Sequence, residues 1–220
     1  MTTLLLDYLF NLEGKCKFMG QRLVIDCVHN NKVIATLYYH WSAYSRSALY
    51  EAKHLVDFYK QWKEHGNNDL ALALIRLVES EGGCIDGGEG SEEWEYITNI
   101  YPTETFKATG DRTNGLITLS DKGREGAWSW AEGTMMIDFD SEVIENSVFD
   151  YYANVDAWNA IWCDEDDKED YIDDINKLPK LEVDLETIRF DDIEYTYNYL
   201  ANNNTYRFRT ENNEIIGLIA

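Results

Sequence analysis

The chain has 220 residues, 45% of them hydrophobic and including 7 Trp, 15 Tyr and 8 Phe, enough apolar surface for a continuous core and incompatible with global disorder. Its 41 acidic against 19 basic residues give a formal net charge of −22, a field that repels phosphate backbones and anionic lipid and so speaks against direct nucleic-acid or membrane-surface binding. No window approaches the roughly 18 apolar residues of a membrane span, and Asp7 interrupts the run Leu4-Leu5-Leu6 too early for a secretory signal.

The four cysteines, Cys16, Cys27, Cys84 and Cys163, are scattered, without a Cys-x-x-Cys pair or a close His. They read as free thiols in a reducing cytoplasm, and no metal or cofactor is expected. With only 2 Pro and no Gly/Ser/Pro-rich linker, residues 1–220 read as one domain, with a possible sub-boundary near 102–112 between a hairpin-plus-helices half and an acidic half.

In chain order, Arg22 to Val28 and Lys32 to Tyr39 are β-rich runs joined through His29-Asn30-Asn31. Asn-Asn tolerates the positive φ of a tight turn, so a hairpin is predicted, and its nearly continuous apolar character asks for cover on both faces. Ala48, Leu49, Ala52, Leu55, Val56, Tyr59 and Trp62 recur at helical spacing after Ser45 or Ser47, up to Gly66. A second helix is expected through Leu70, Leu74, Leu77 and Val78, capped by Asn67 or Asn68 and stopping at Glu81-Gly82-Gly83. The glycine-rich stretch from Gly82 to Gly90 reads as an irregular surface loop.

A short helix follows over residues 92–101, ended by Pro102. Gly115 to Ser120 reads as a strand, Asp121-Lys122-Gly123 as a turn, and Ala127-Trp128-Ser129-Trp130 and Thr134 to Phe139 as two more strands, forming a three-stranded meander. Val155 to Trp162 and Asp167 to Ile175 have helical spacing, Leu181 to Phe190 is ambiguous, and Tyr195 to Leu200 fits helix or strand. Thr205 to Arg209 and Glu214 to Ile219 form a second hairpin around Asn212-Asn213. Strand and helix runs are segregated, so the expected class is α+β, with helices packed on an antiparallel or mixed sheet.

The densest chemistry lies at Tyr38-Tyr39-His40-Trp41-Ser42-Ala43-Tyr44, where a strand leaves for a helix. One reading makes it a pocket with Arg22, His40, Trp41, Ser42 and Tyr44, in which His40 is a base or ligand contact and the rings form a stacking wall. The plainer one makes it a turn in which Ser42 caps the helix while the rings fill the hairpin–helix interface. No Gly-x-Ser-x-Gly elbow supports a hydrolytic triad, and the glycine stretch lacks the Lys-Ser/Thr of a phosphate loop. No catalytic residue is therefore assigned.

Acidity is concentrated: residues 129–199 hold 21 Asp/Glu against 4 Lys/Arg, a net −17, and residues 1–128 hold 18 against 13, a net −5. At its centre are Asp164, Glu165, Asp166, Asp167, Glu169, Asp170, Asp173 and Asp174. The cluster lacks the central Gly and terminal Glu of a calcium loop. It reads either as a solvated face or as a surface presenting to a Lys/Arg-lined groove the charge a nucleic-acid backbone would present.

Met19-Gly20-Gln21-Arg22 with the following hairpin, Tyr39-His40-Trp41-Ser42-Ala43-Tyr44, Gly115-Leu116-Ile117 and Trp130-Ala131-Glu132-Gly133 resemble small acidic proteins encoded by bacteriophages and prophages, over about the first 140 residues. The resemblance implies a viral accessory protein in a bacterial cytoplasm and carries no catalytic residues. With the charge, it leads to the expectation of a non-enzymatic inhibitor of a host defence or nucleic-acid-handling protein, docked through the acidic segment on a basic partner surface. The alternative is a small enzyme or a small-ligand or nucleotide binder at the Tyr39–Tyr44 segment.

Overall fold

The computed structural model describes residues 22–43, 45–148 and 182–202, and the backbone of residues 205–209 and 215–219. Strands β1 (Leu23–His29) and β2 (Lys32–Tyr39) form the predicted hairpin, with Asn30 and Asn31 both left-handed at φ 53° and 58°. That is the backbone a two-residue turn needs to match the twist of its strands. Two helices follow, α1 (Ser45–Glu64) and α2 (Leu70–Ser80). The cap of α2 is Asp69, whose carboxylate accepts from Leu72 N at 2.9 Å, not Asn67 or Asn68. A capping side chain must sit two or three residues before the amide it accepts from, and the asparagines stand too early.

The glycine-rich stretch is not wholly irregular. Gly82, Gly87, Gly88 and Gly90 make positive-φ turns, but between them β3 (Cys84–Ile85) is buried and pairs in parallel with β4 (Leu116–Thr118). Helix α3 (Glu92–Ile100) is capped by Ser91, whose Oγ accepts from Trp94 N at 3.1 Å.

The expected meander is absent. Asp121-Lys122-Gly123 is the first turn of helix α4 (Asp121–Trp128), capped by Ser120 Oγ accepting from Gly123 N at 3.0 Å. Trp128 therefore ends a helix, and Ser129-Trp130 follow it, where the sequence reading had a strand. The alternating tryptophans imitate period two, but Arg124 and Trp128 stand four apart on one helix face and both reach Asp26.

Strands β5 (Gly133–Asp138), β6 (Val143–Asn146) and β7 (Thr187–Arg189) complete a seven-stranded sheet of order β3-β4-β2-β1-β5-β6-β7. β1 and β5 are parallel, as are β3 and β4, and the other pairs are antiparallel. The sheet is thus mixed, with helices packed on it in an α+β arrangement, and strands from both sides of residues 102–112 belong to it. Helix α5 (Ile193–Asn202) settles Tyr195 to Leu200 as helix, and β8 (Thr205–Arg209) pairs with β9 (Ile215–Ile219) as the second hairpin. The predicted helices within 155–175 lie outside the described residues. Among the described residues no helix is long and apolar enough to cross a membrane.

Alternation along the central strands divides the sheet's two faces. Leu23, Ile25 and Cys27 of β1 and Ala35, Leu37 and Tyr39 of β2 join Leu49, Leu55 and Val56 of α1 and Leu74 and Leu77 of α2 in one apolar core. The intervening residues, Asp26, Thr36, Tyr38 and Thr118 among them, face the other way, and among the described residues α4 covers the centre there. This leaves a polar sheet face partly roofed by a short helix.

Candidate functional site

A cleft of about 440 Å³ lies between that face and α4. Its floor is Thr36 and Tyr38 of β2 with Leu116 and Thr118 of β4. Period two puts these side chains opposite Leu37 and Ile117, so the floor follows directly from strand register. His40 continues the row past the end of β2. Gly126 and Ala127 of α4 and Trp130 beyond it form one wall. Arg22, Asp86, Arg112 and Thr113 supply most of the charge and hydrogen-bonding capacity.

Two arginines line the cleft. Arg22 donates to Glu132 through Nε at 3.3 Å and Nη2 at 3.2 Å, and lies 5.4 Å from the centre of the Trp130 ring. Arg112, in a single 3-10 turn (Arg112–Asn114), forms no ion pair among the described residues. Both act on Tyr38: burial raises its hydroxyl's pKa, and the Arg22 and Arg112 charges pull it back. Tyr38 Oη and His40 Nδ1 lie 3.1 Å apart, a pair that can pass a proton. Thr118 is 3% exposed, and its Oγ1 has no hydrogen-bond partner among the described residues. A buried hydroxyl left unsatisfied is costly, and this oxygen is packed against Gly123 of α4 rather than open to the cleft. The Asp86 carboxylate also has no hydrogen-bond or ion-pair partner among the described residues.

The α4 wall is fixed by two buried carboxylates. Asp26 Oδ2 accepts from Arg124 Nε at 3.1 Å, Arg124 Nη2 at 2.8 Å and Trp128 Nε1 at 3.1 Å, while its Oδ1 accepts from Thr36 Oγ1 at 2.6 Å. Glu93 accepts from Leu119 N at 2.6 Å and Ser120 N at 3.2 Å, and from the Ser120 hydroxyl. At position 123 even a methyl group is excluded, since a Cβ there would stand 1.8 Å from Thr118 Oγ1.

Of the residues singled out in the sequence, Arg22 and His40 are brought together in this cleft. Trp41 is 56% exposed and stands edge-on to the His40 ring, with centroids 4.6 Å apart. Of the segment's rings, Tyr39 is 4% exposed and packs in the core with Ala43, Ala48 and Leu49, whereas Trp41 does not. Ser42 turns to α1, donating to Glu51 Oε1 at 2.9 Å, so a cap is not its observed contact. Tyr44 and the cluster of Asp164, Glu165, Asp166, Asp167, Glu169, Asp170, Asp173 and Asp174 lie outside the described residues. Sequence reasoning missed Asp86, Arg112, Thr118 and Trp130. The first two stand in loops without a motif, and Trp130 was assigned to a strand.

A second polar cluster lies on α1 and at the end of α2. His54 Nδ1 is 2.8 Å from Glu81 Oε1, and burial pushes the Glu81 carboxyl up to about 7. Burial also raises Glu51, against the Ser42 hydrogen bond and with help from the Glu81 charge. Among the described residues Cys27 and Cys84 are free, and burial raises the pKa of both thiols, which disfavours the thiolate. Comparisons with protein families, characterised proteins and solved structures find no match for this chain.

Proposed function

We propose that this protein binds a small anionic molecule in the cleft between α4 and the polar sheet face. The observation that carries this reading is the convergence of Arg22, Arg112 and His40 in one concave site of a chain whose net charge is −22. Arg112 has no carboxylate partner among the described residues, and two guanidiniums lining one cleft suit carboxylate or phosphate. The volume falls within the roughly 300–1,000 Å³ of small-ligand pockets.

Titration calorimetry with small carboxylates and phosphates tests this. Arg112 is exposed, so Arg112→Ala leaves the melting temperature unchanged and lowers affinity for the bound anion about tenfold or more, as expected for a charge-assisted hydrogen bond worth roughly 1.5–3 kcal/mol. Full affinity in that variant would remove the anion site from this cleft.

A second reading is favoured by the net −17 of residues 129–199: a viral accessory protein of the bacterial cytoplasm that inhibits a host protein by docking its acidic segment on a basic surface. Replacing Asp166, Asp167, Asp170 and Asp174 by Lys then abolishes salt-sensitive retention of a basic partner from bacterial lysate, mainly through slower association. Equal retention by both proteins would leave the acids as a solvated face.

A further inference from the structure

We infer that the anion taken by this cleft is a single nucleotide, a nucleoside monophosphate with its phosphate on the arginines and its base on exposed indole. The inference rests on the anion-binding reading above and narrows it by three further observations.

The first is aromatic. Trp130 lines the cleft and is 61% exposed, and Trp41, 56% exposed, stands against the lining residue His40. An indole left this open beside a cavity costs hydration free energy, which a flat ring stacked on it would recover. Arg22 already stacks on Trp130, so the indole and the anion-binding cation are adjacent and one ligand can engage both.

The second is the presence of an acceptor among the cations. The Asp86 carboxylate has no hydrogen-bond or ion-pair partner among the described residues, and Asp86 lines the same cavity as Arg22 and Arg112. A plain anion would be repelled by it. A ligand that also carries donors, such as ribose hydroxyls or a ring amine, would use it.

The third is charge and size. A volume of about 440 Å³ sits in the lower half of the range for small-ligand pockets. The chain's −22 field opposes each added negative charge on the ligand, so one phosphate is favoured over a polyphosphate or an oligonucleotide.

The test is titration of the full chain with the monophosphates of adenosine, guanosine, cytidine and uridine. Inorganic phosphate, ribose 5-phosphate, the free nucleosides and indole-3-acetate serve as comparison ligands. Binding is read by calorimetry and by quenching of tryptophan fluorescence. At least one monophosphate should bind ten times or more tighter than each comparison ligand. Trp130→Ala should weaken that nucleotide by about 5- to 150-fold, the range spanned by base–aromatic stacking, and leave ribose 5-phosphate unaffected. Asp86→Ala should weaken the nucleotide and strengthen inorganic phosphate. These exposed or half-buried sites should keep the wild-type melting temperature. If ribose 5-phosphate, inorganic phosphate or indole-3-acetate binds as well as any nucleotide, the nucleotide assignment fails and anion binding stands. If nucleosides bind as well as nucleotides, or no anion binds, both fail.

Discussion

Asp26→Ala should lower the unfolding free energy by roughly 3 kcal/mol, the lower end of the range for breaking a buried ion pair, and should loosen helix α4 before the rest of the sheet. The carboxylate is 4% exposed and receives four hydrogen bonds, from Thr36, Trp128 and twice from Arg124. Helix α4 contributes no buried residue of its own, so its attachment is polar, with Glu93 holding its N-terminal end and Asp26 its Arg124 and Trp128 side chains. The lower end of the range is appropriate because Arg124 is 41% exposed and, once released, can be resolvated by water. Thr36, 2% exposed, cannot, and its orphaned hydroxyl accounts for much of the loss.

Urea unfolding gives the magnitude, and amide exchange of residues 121–128 gives the location. Wild-type stability with wild-type protection in α4 would mean that the helix is held chiefly by the Glu93 contacts. The paired replacement Asp26→Leu with Arg124→Met should recover part of the stability, because two apolar side chains remove the demand for compensation that either single change creates.

How far the sequence could be read follows from these same contacts. The hairpin was legible because Asn30-Asn31 and the flanking β-branched runs encode turn and strands locally. Helix α1 was legible because its apolar spacing is long enough to be unambiguous. The α+β class followed from segregation of those runs, while the choice between an antiparallel and a mixed sheet did not.

Helix α4 was not legible. Asp121 to Trp128 carries no apolar stripe, so its helicity depends on the Ser120 cap and on an acceptor, Asp26, that lies 98 residues from Arg124 in sequence. The β3 strand was hidden for a related reason. Two residues between glycines have no periodicity, and their pairing is set by β4, far along the chain. The cleft combines these two failures. Its predicted members, Arg22 and His40, flank the legible hairpin. Its unpredicted members, Asp86, Arg112 and Trp130, are placed by β3, the 3-10 turn and α4.

Gly110→Ala should cost roughly 2–4 kcal/mol and weaken ligand binding in the same protein, the stability figure combining overpacking with the loss of two backbone hydrogen bonds. A Cβ built at 110 falls 2.1 Å from Gly83 O and 2.6 Å from Gly83 C. These obstacles are backbone atoms and cannot rotate away as the tip of a side chain could, so the segment at 110–115 and that at 82–85 must part. The contacts between them are Asp111 N donating to Gly82 O at 2.8 Å and Cys84 N donating to Gly115 O at 3.1 Å, with the short β3–β4 ladder next in line. Arg112 lies two residues beyond the new methyl group and Asp86 lies just past β3, so the displacement separates two of the charged groups on which recognition in the cleft depends. Gly126→Ala supplies the contrast. Its Cβ would meet nothing within 4 Å, and within helix α4 the change from Gly to Ala should stabilise by up to about 1 kcal/mol. Chemical denaturation of the two variants beside the wild type checks the opposite signs. A Gly110→Ala protein of wild-type stability would show that the backbone at 82–85 yields without cost, and the cleft would then owe its shape to α4 alone.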